Sequence, residues 1–391
     1  MKRIHVLWIN EKADFTGGCE QYVFNTANLL KKYNVKSSIL YGISGWTDPV
    51  FIRNFEYAFP IVDIPSQIKE INPDLIYVHT LNERKKMEQL IATGKPVIRF
   101  FHDHKLFCLR DYKYYAIGHR TCKKPIGLRC YYCLGFINRS NNWMRIKFSS
   151  LHKLKKEQNT NKKISAFVVG SQYMADHIIE HGFSREKMNV IPLYTQKSSV
   201  ENVIDPEKNL LLFAGQLIRG KGVDTLLKAM SYLDEKVKLI ICGSGRQEHV
   251  YRKMVKRFNL TKRVVFKSKI SKRMISEYYQ KAAVVVMPSR SPETFGLVGL
   301  EAMKVGKPVI ASDVGGISEW LAHEKTGLLF PSNNSRALAD AIEKLLNDKN
   351  LLKTMEINAR KSFIENFQPE NHMKALRKLF DSIIEEEQND K

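Results

Sequence analysis

Ten short runs of nearly continuous apolar sequence recur along a chain of 391 residues, and they constrain its fold more than any other feature. They cover residues 4–9, 38–41, 75–79, 97–101, 167–170, 210–214, 238–242, 264–266, 284–287 and 309–311. A strand with one wet face alternates apolar and polar side chains, whereas a strand covered on both faces reads as an unbroken apolar run. Amphipathic stretches of helical period lie between them, at 20–32, 172–181, 223–233, 247–258 and 272–281. Strand and helix in alternation predict an α/β chain of doubly wound parallel sheets. After Phe330 the runs stop, and helices are expected at 335–348, 351–367 and 369–386, the last opened by Pro369.

Size divides this pattern. A single core stops growing at about 250 to 300 residues, and a polar interval at 195–209 containing Pro206 interrupts the alternation near mid-chain. Two Rossmann-like domains are expected, at 1–195 and 205–368, followed by a terminal segment at 369–391. Ligands of such sheets bind beyond the carboxyl ends of the strands, so chemistry is sought just after each apolar run.

Composition narrows the partners. A hydrophobic fraction of 43% excludes a disordered chain, and 63 Lys and Arg against 40 Asp and Glu give a net charge of +23. The balance calls for an anionic partner: a phosphorylated small molecule, acidic lipid or nucleic acid. No helix-turn-helix or RNA motif accompanies the charge, which argues against nucleic acid. The first apolar run is interrupted by His5 and lacks a cleavage site, so it reads as a strand rather than a signal peptide. No apolar stretch approaches the roughly 18 residues of a spanning helix, and a cytoplasmic protein, at most peripheral on the membrane, is expected.

Three glycine-bearing turns follow strands. Thr16-Gly17-Gly18-Cys19-Glu20 opens the first helix, either as a tight turn or as an anion site at a helix N-terminus. Gly215-Gln216-Leu217-Ile218-Arg219-Gly220-Lys221-Gly222 offers backbone amides and cations that suit a diphosphate, without the ending of a P-loop, and Gly243-Ser244-Gly245 follows the next strand. Glu293 lies in the loop after the 284–287 run, and Glu301 stands eight positions later in a helix expected to begin near Phe295 or Gly296. Amides from Phe295, Gly296, Leu297 and Val298 would be left for phosphate oxygens. Two carboxylates so placed suit acid–base work, a metal or a hydroxyl clamp.

In this order the elements resemble the retaining nucleotide-sugar glycosyltransferases of family four, which have the GT-B fold. The resemblance runs through Gly215 to Asp224, Gly243-Ser244-Gly245, the Glu293/Glu301 pair, Glu301-Ala302-Met303, residues 306–311, Gly315-Gly316 with Glu319, and 326–329. In the first half it rests on Gly17-Gly18 and on His102-Asp103. It implies two Rossmann-like domains facing an interdomain cleft, with the C-terminal helix returning to the first domain. It implies transfer of a sugar, with retained anomeric configuration and no catalytic metal ion, from a UDP- or GDP-sugar to a polysaccharide or lipid-linked acceptor. The setting would be cell-envelope or surface polysaccharide synthesis. Glu301 would bind the ribose, Glu293 the donor sugar, and His102 would stand at the reaction centre, with His104 and His119 as rivals and Asp103 as an orienting acid. Lys221 would neutralise the leaving diphosphate, which Gly17, Gly18 and the 295–298 amides would hold, and Gly243 would also bind the donor. The family's usual arginine is replaced by Gln216, so Arg219 is expected to supply the missing charge. A neutral amide donates a hydrogen bond but brings no charge. Ser268 stands where glycine is common. Two other readings are an inactive basic membrane-binding scaffold and a nucleotide-sugar epimerase of the same fold.

The interval 102–163 reads as an insert carrying 15 Lys and Arg against three acids. It also holds Cys108, Cys122, Cys130 and Cys133, and a subset of family-four relatives has a similar cysteine-bearing loop. A structural zinc site, reduced thiols and disulfides are the alternatives for these four. Trp143, Met144, Ile146, Phe148, Leu151 and Leu154 interleave with Arg145, Lys147, Lys153, Lys155 and Lys156. That pattern fits a basic amphipathic helix, lying on an anionic bilayer or packed on its own domain.

Overall fold

A computed structural model describes residues 2–42, 47–81, 83–115, 121–139, 146–196, 204–268 and 270–389. The chain forms two compact units: Met1–Asp111, Pro125–Pro192 and Pro369–Lys391 make the first, and Tyr112–Lys124 with Leu193–Gln368 the second.

The first unit contains β1 (Ile4–Asn10), β2 (Val35–Tyr41), β3 (Ala58–Pro60), β4 (Leu75–Val78), β5 (Val97–Phe100), a small hairpin of β6 (Ile137–Arg139) and β7 (Ile146–Phe148), then β8 (Ala166–Val169) and β9 (Met188–Val190). Seven of these strands form one sheet, in the order β3-β2-β1-β4-β5-β8-β9, with every pair parallel. β4, β5 and β8 are buried at every position, as their unbroken apolar sequence predicts. The helix Pro369–Asn389 belongs to this unit and buries Met373, Leu376 and Phe380. Arg377 of that helix, 2% exposed, donates to the carbonyls of Tyr33 and Lys2 and pairs with Asp381.

The second unit holds β10 (Leu210–Ala214), β11 (Lys238–Cys242), β12 (Val264–Lys267), β13 (Val284–Met287), β14 (Val309–Ser312) and β15 (Gly327–Phe330). They form a six-stranded sheet in the order β12-β11-β10-β13-β14-β15, again wholly parallel. Both orders turn back at the first strand of the unit, the arrangement that opens a crevice at the carboxyl edge of a Rossmann-like sheet.

The insert departs from expectation. No single helix runs through the described part of 143–156: β7 pairs antiparallel with β6, and a helix starts afresh at Leu151–Asn161, where the Ser150 hydroxyl accepts from the Lys153 amide. Leu151 and Leu154 are buried against Leu109, so this helix packs on its own unit. Trp143, Met144 and Arg145 lie outside the described residues. The apolar surface the insert exposes includes Phe148 of β7 and, outside that stretch, Leu128, Tyr131, Tyr132, Leu134 and Ile137.

Candidate functional site

In the second unit the chemistry gathers on turns that follow strands. After β10 the chain enters a tight turn over Arg219–Lys221 and leaves it at Gly222, whose φ of +67° is left-handed and whose added Cβ would lie 1.8 Å from the Pro288 carbonyl oxygen. Only glycine lets this turn press against the loop after β13. That approach brings Lys221 Nζ to 2.7 Å from Glu293 Oε1, while Ser289 Oγ donates to the same oxygen at 2.6 Å. Glu293 is held from behind as well: its carbonyl accepts from the Gly316 amide at 2.8 Å. Gly315 has φ +66°, and an added Cβ there would meet that carbonyl at 2.1 Å. The two Gly-rich turns after β10 and β14 thus fix one carboxylate between them.

Glu301 lies within the helix Leu297–Lys304, where its Oε2 accepts from the Tyr279 hydroxyl at 2.8 Å. Burial pushes the Tyr279 hydroxyl well above its usual range, and the adjacent carboxylate adds to this. The helix begins two residues later than the earliest expected start: Gly296 is its cap and Leu297 its first residue. Phe295 is a core residue, 2% exposed, whose carbonyl accepts from the Trp320 indole at 2.6 Å. The first-turn amides of Leu297 and Val298 have no carbonyl one turn earlier within the helix to bond, as at any helix start. Gln216 and Arg219 are exposed, and Gly243 joins its turn to the neighbouring strand through its amide on the Lys267 carbonyl at 2.9 Å.

Sequence reading missed Arg290. Its guanidinium is buried, pairs with Asp224 at 2.7 Å and donates to Thr225 Oγ1 at 2.8 Å and Asn333 Oδ1 at 2.9 Å. It also missed Tyr112–Lys124. The Ser291 hydroxyl donates to the Tyr112 carbonyl at 2.5 Å, the Thr121 hydroxyl to the Arg290 carbonyl at 3.0 Å, and Arg246 to the Tyr112 hydroxyl at 3.3 Å. A piece of the insert is therefore bonded to the loop that carries Glu293. A contact spanning 179 positions leaves no local pattern to read.

In the first unit, Gly17 caps the helix Gly18–Leu30, and a Cβ on Gly17 would meet the Glu20 carboxylate at 2.5 Å. His102 stacks on Phe100 with ring centroids 4.1 Å apart, and its Nε2 lies 2.8 Å from His79 Nδ1. Burial pushes His102 down to about 3, against the opposing pull of Asp103, so the ring is neutral at pH 7. The Asp103 carboxylate takes the Lys105 amide at 2.9 Å and the Lys105 ammonium at 3.2 Å. His104 is 4% exposed and sits against the His177 ring, in the interior; His119 lies outside the described residues. Of the insert cysteines, Cys108, Cys130 and Cys133 belong to the first unit and Cys122 to the second. The three-ligand set found among the described residues is another one, Cys19, His79 and His102.

An Anabaena protein, HepE, solved with UDP superposes with a TM-score of 0.75 at 18% identity over 97% of this chain and 100% of its own. The same protein has been solved with UDP-glucose. Identity this low shows the fold alone, which is GT-B: two Rossmann-like parallel-sheet domains. Within it, residues 195–362 match the family model described as "Glycosyl transferases group 1". Over 164 residues the chain is 37% identical to a D-inositol 3-phosphate glycosyltransferase of Pseudarthrobacter chlorophenolicus, covering 40% of this chain and 39% of that one. An uncharacterized glycosyltransferase of Methanocaldococcus jannaschii is 30% identical over 184 residues, 46% of this chain and 47% of its own. The chain spans about half or less of the length of these curated relatives.

Proposed function

We propose that the protein is a glycosyltransferase that moves a sugar from a nucleotide diphosphate donor to a polysaccharide or lipid-linked acceptor of the cell envelope, with retained anomeric configuration. The observation that carries this reading is the Lys221–Glu293–Ser289 cluster, with Glu301 eight residues on, inside the stretch that matches the family model. In this mechanism Glu301 holds the ribose and Glu293 the donor sugar. Lys221 turns from its carboxylate partner to the diphosphate as negative charge builds on the leaving group. Amides at the start of the Leu297–Lys304 helix bind phosphate oxygens, and the neutral His102 accepts a hydrogen bond at the reaction centre. The cations do the neutralising, so the chemistry needs no metal ion.

Uracil is the favoured base, because HepE, a solved protein of this fold, binds UDP and UDP-glucose. A screen of UDP-, GDP- and ADP-sugars, reading nucleotide release and thermal shift, tests the reading. One donor class should both stabilise the protein and be turned over. Saturable nucleotide binding with neither hydrolysis nor transfer would instead make the protein a binding scaffold. The acceptor side is proposed to face anionic lipid through the exposed apolar side chains of 128–148 and the basic residues around them. Co-sedimentation with phosphatidylglycerol vesicles, lost on Tyr132→Asp with Phe148→Asp, is the expected outcome. Among the described residues no helix is long and apolar enough to cross a membrane.

A further inference from the structure

We infer that Cys19, His79 and His102 form a transition-metal site in the first unit, suited to a borderline-soft divalent cation such as Zn²⁺, and that metal held there blocks His102. The topology makes the convergence. β1, β4 and β5 are adjacent strands running in parallel. Cys19 stands in the first turn of the helix after β1, His79 immediately after β4, and His102 two residues past the end of β5. One ligand atom from each residue lies within 4.8 Å of the other two. Tetrahedral zinc, with nitrogen at about 2.0 Å and sulfur at about 2.3 Å, needs ligand atoms roughly 3.3 to 3.6 Å apart, so closure asks about 1 Å of side-chain movement.

Two further observations point to a ligand. His79, 3% exposed, leaves Nε2 buried without a hydrogen-bond partner, although its Nδ1 bonds His102. Such an atom is costly unless something supplies the missing interaction. Beside the two imidazoles lies a cavity of about 70 Å³, also bordered by Asp103, Arg99 and Lys105. Cys19 is not among the residues that line it, and it has room for a water beside the two imidazoles. The nearby fixed charges are mixed, with Glu20 and Asp103 acidic and Arg99 and Lys105 basic. The Cys19 thiol makes a long sulfur contact, 3.7 Å, to Asn10 Oδ1. On metal binding the thiol loses its proton to solvent and the thiolate supplies the anionic ligand.

Binding at this site is independent of what the enzyme transfers; the blocking of His102 rests on the glycosyltransferase reading. Cobalt titration of the full-length protein tests the two separately. Co²⁺ should give a near-ultraviolet thiolate-to-metal band, displaced by Zn²⁺. Cys19→Ser should abolish that band, and His102→Asn should weaken Co²⁺ binding by at least about tenfold, the scale set by even outer-shell partners of a metal. Cys130→Ser with Cys133→Ser should leave the band intact. Melting curves check that each variant is folded. No band in the unaltered protein, or a band that survives Cys19→Ser and vanishes with the Cys130/Cys133 pair, overturns the site. Zn²⁺ should also inhibit nucleotide release in the unaltered protein and lose that effect in Cys19→Ser. A band without inhibition overturns the blocking of His102, and no turnover of any donor points instead to failure of the functional reading.

Discussion

Lys221 and His102 carry the clearest consequences of single side chains. A unit charge about 4 Å from charge developing on a leaving group is worth about 4 kcal/mol at an effective dielectric near 20, which is roughly a thousandfold in rate. Lys221→Ala is therefore expected to lower turnover by about that factor while melting temperature shifts little, since Lys221 is partly exposed and its ion pair contributes modestly to folding. Steady-state kinetics beside a thermal melt checks this. The histidines give a pH dependence. Burial holds His102 at about 3 and His372 at about 4, both below the ordinary 6.5. As pH falls from 6.5 towards 4 the unfolded chain takes up protons that the folded rings refuse. Stability should thus be full above that window and decline through it. Melting temperature followed from pH 7 down to pH 4 should fall, and His372→Asn should flatten the slope. The placement of Lys221 and Glu293 on turns after strands, and of Glu301 in the helix that follows, was legible from short spacings along the chain. Arg290 was not, because its importance lies in partners brought by folding, Asp224 and Asn333.

At the scale of elements, buried strands read well and short edge elements did not. β10, β11 and β13 match their apolar runs residue for residue. β3, with an intermediate-exposed-intermediate burial pattern, and the partly exposed β9 have no such run to give them away. The insert misled for a different reason: its apolar and basic residues do recur at helical spacing, but the Ser149-Ser150 pair divides them, and the second serine caps a new helix. The contact of Tyr112 and Thr121 with the loop that carries Glu293 also sets an expectation. Ser291→Ala removes the hydroxyl that holds Tyr112 and should cost about 1 kcal/mol of stability. If the loop positions Glu293, donor KM should rise several-fold while kcat changes less, and Ser291→Thr should restore part of the loss. A melt lowered without any change in KM would reduce Tyr112–Lys124 to a structural strap.

For the whole molecule, two parallel sheets with reversing strand order were legible from the alternation of elements. The assignment of residues 112–124 to the second unit was not. The return of the C-terminal helix to the first unit followed from the family resemblance, and its packing explains why. His372 bonds the Tyr22 hydroxyl at 2.8 Å, and Phe380 meets the Tyr77 ring edge-on at 5.5 Å. A chain ending at residue 368 should expose these groups and lose the cooperative melt of the first unit while keeping nucleotide-induced stabilisation of the second. Differential scanning calorimetry with and without UDP distinguishes the two.

The partition of the chain has one more consequence, for synthesis. Tyr112–Lys124 leaves the ribosome well before Leu193–Gln368, the remainder of the unit it completes, and the first unit waits for Pro369–Lys391 to be finished. Neither unit is a contiguous stretch, so neither can fold to completion as an isolated early product. The early sheet must persist with part of its apolar face uncovered until the last helix is translated, an interval in which a holding chaperone has most to offer. The same interleaving limits recombination: a graft that exchanges the second half at residue 193 leaves behind Tyr112 and Thr121, whose hydrogen bonds hold the loop that carries Glu293.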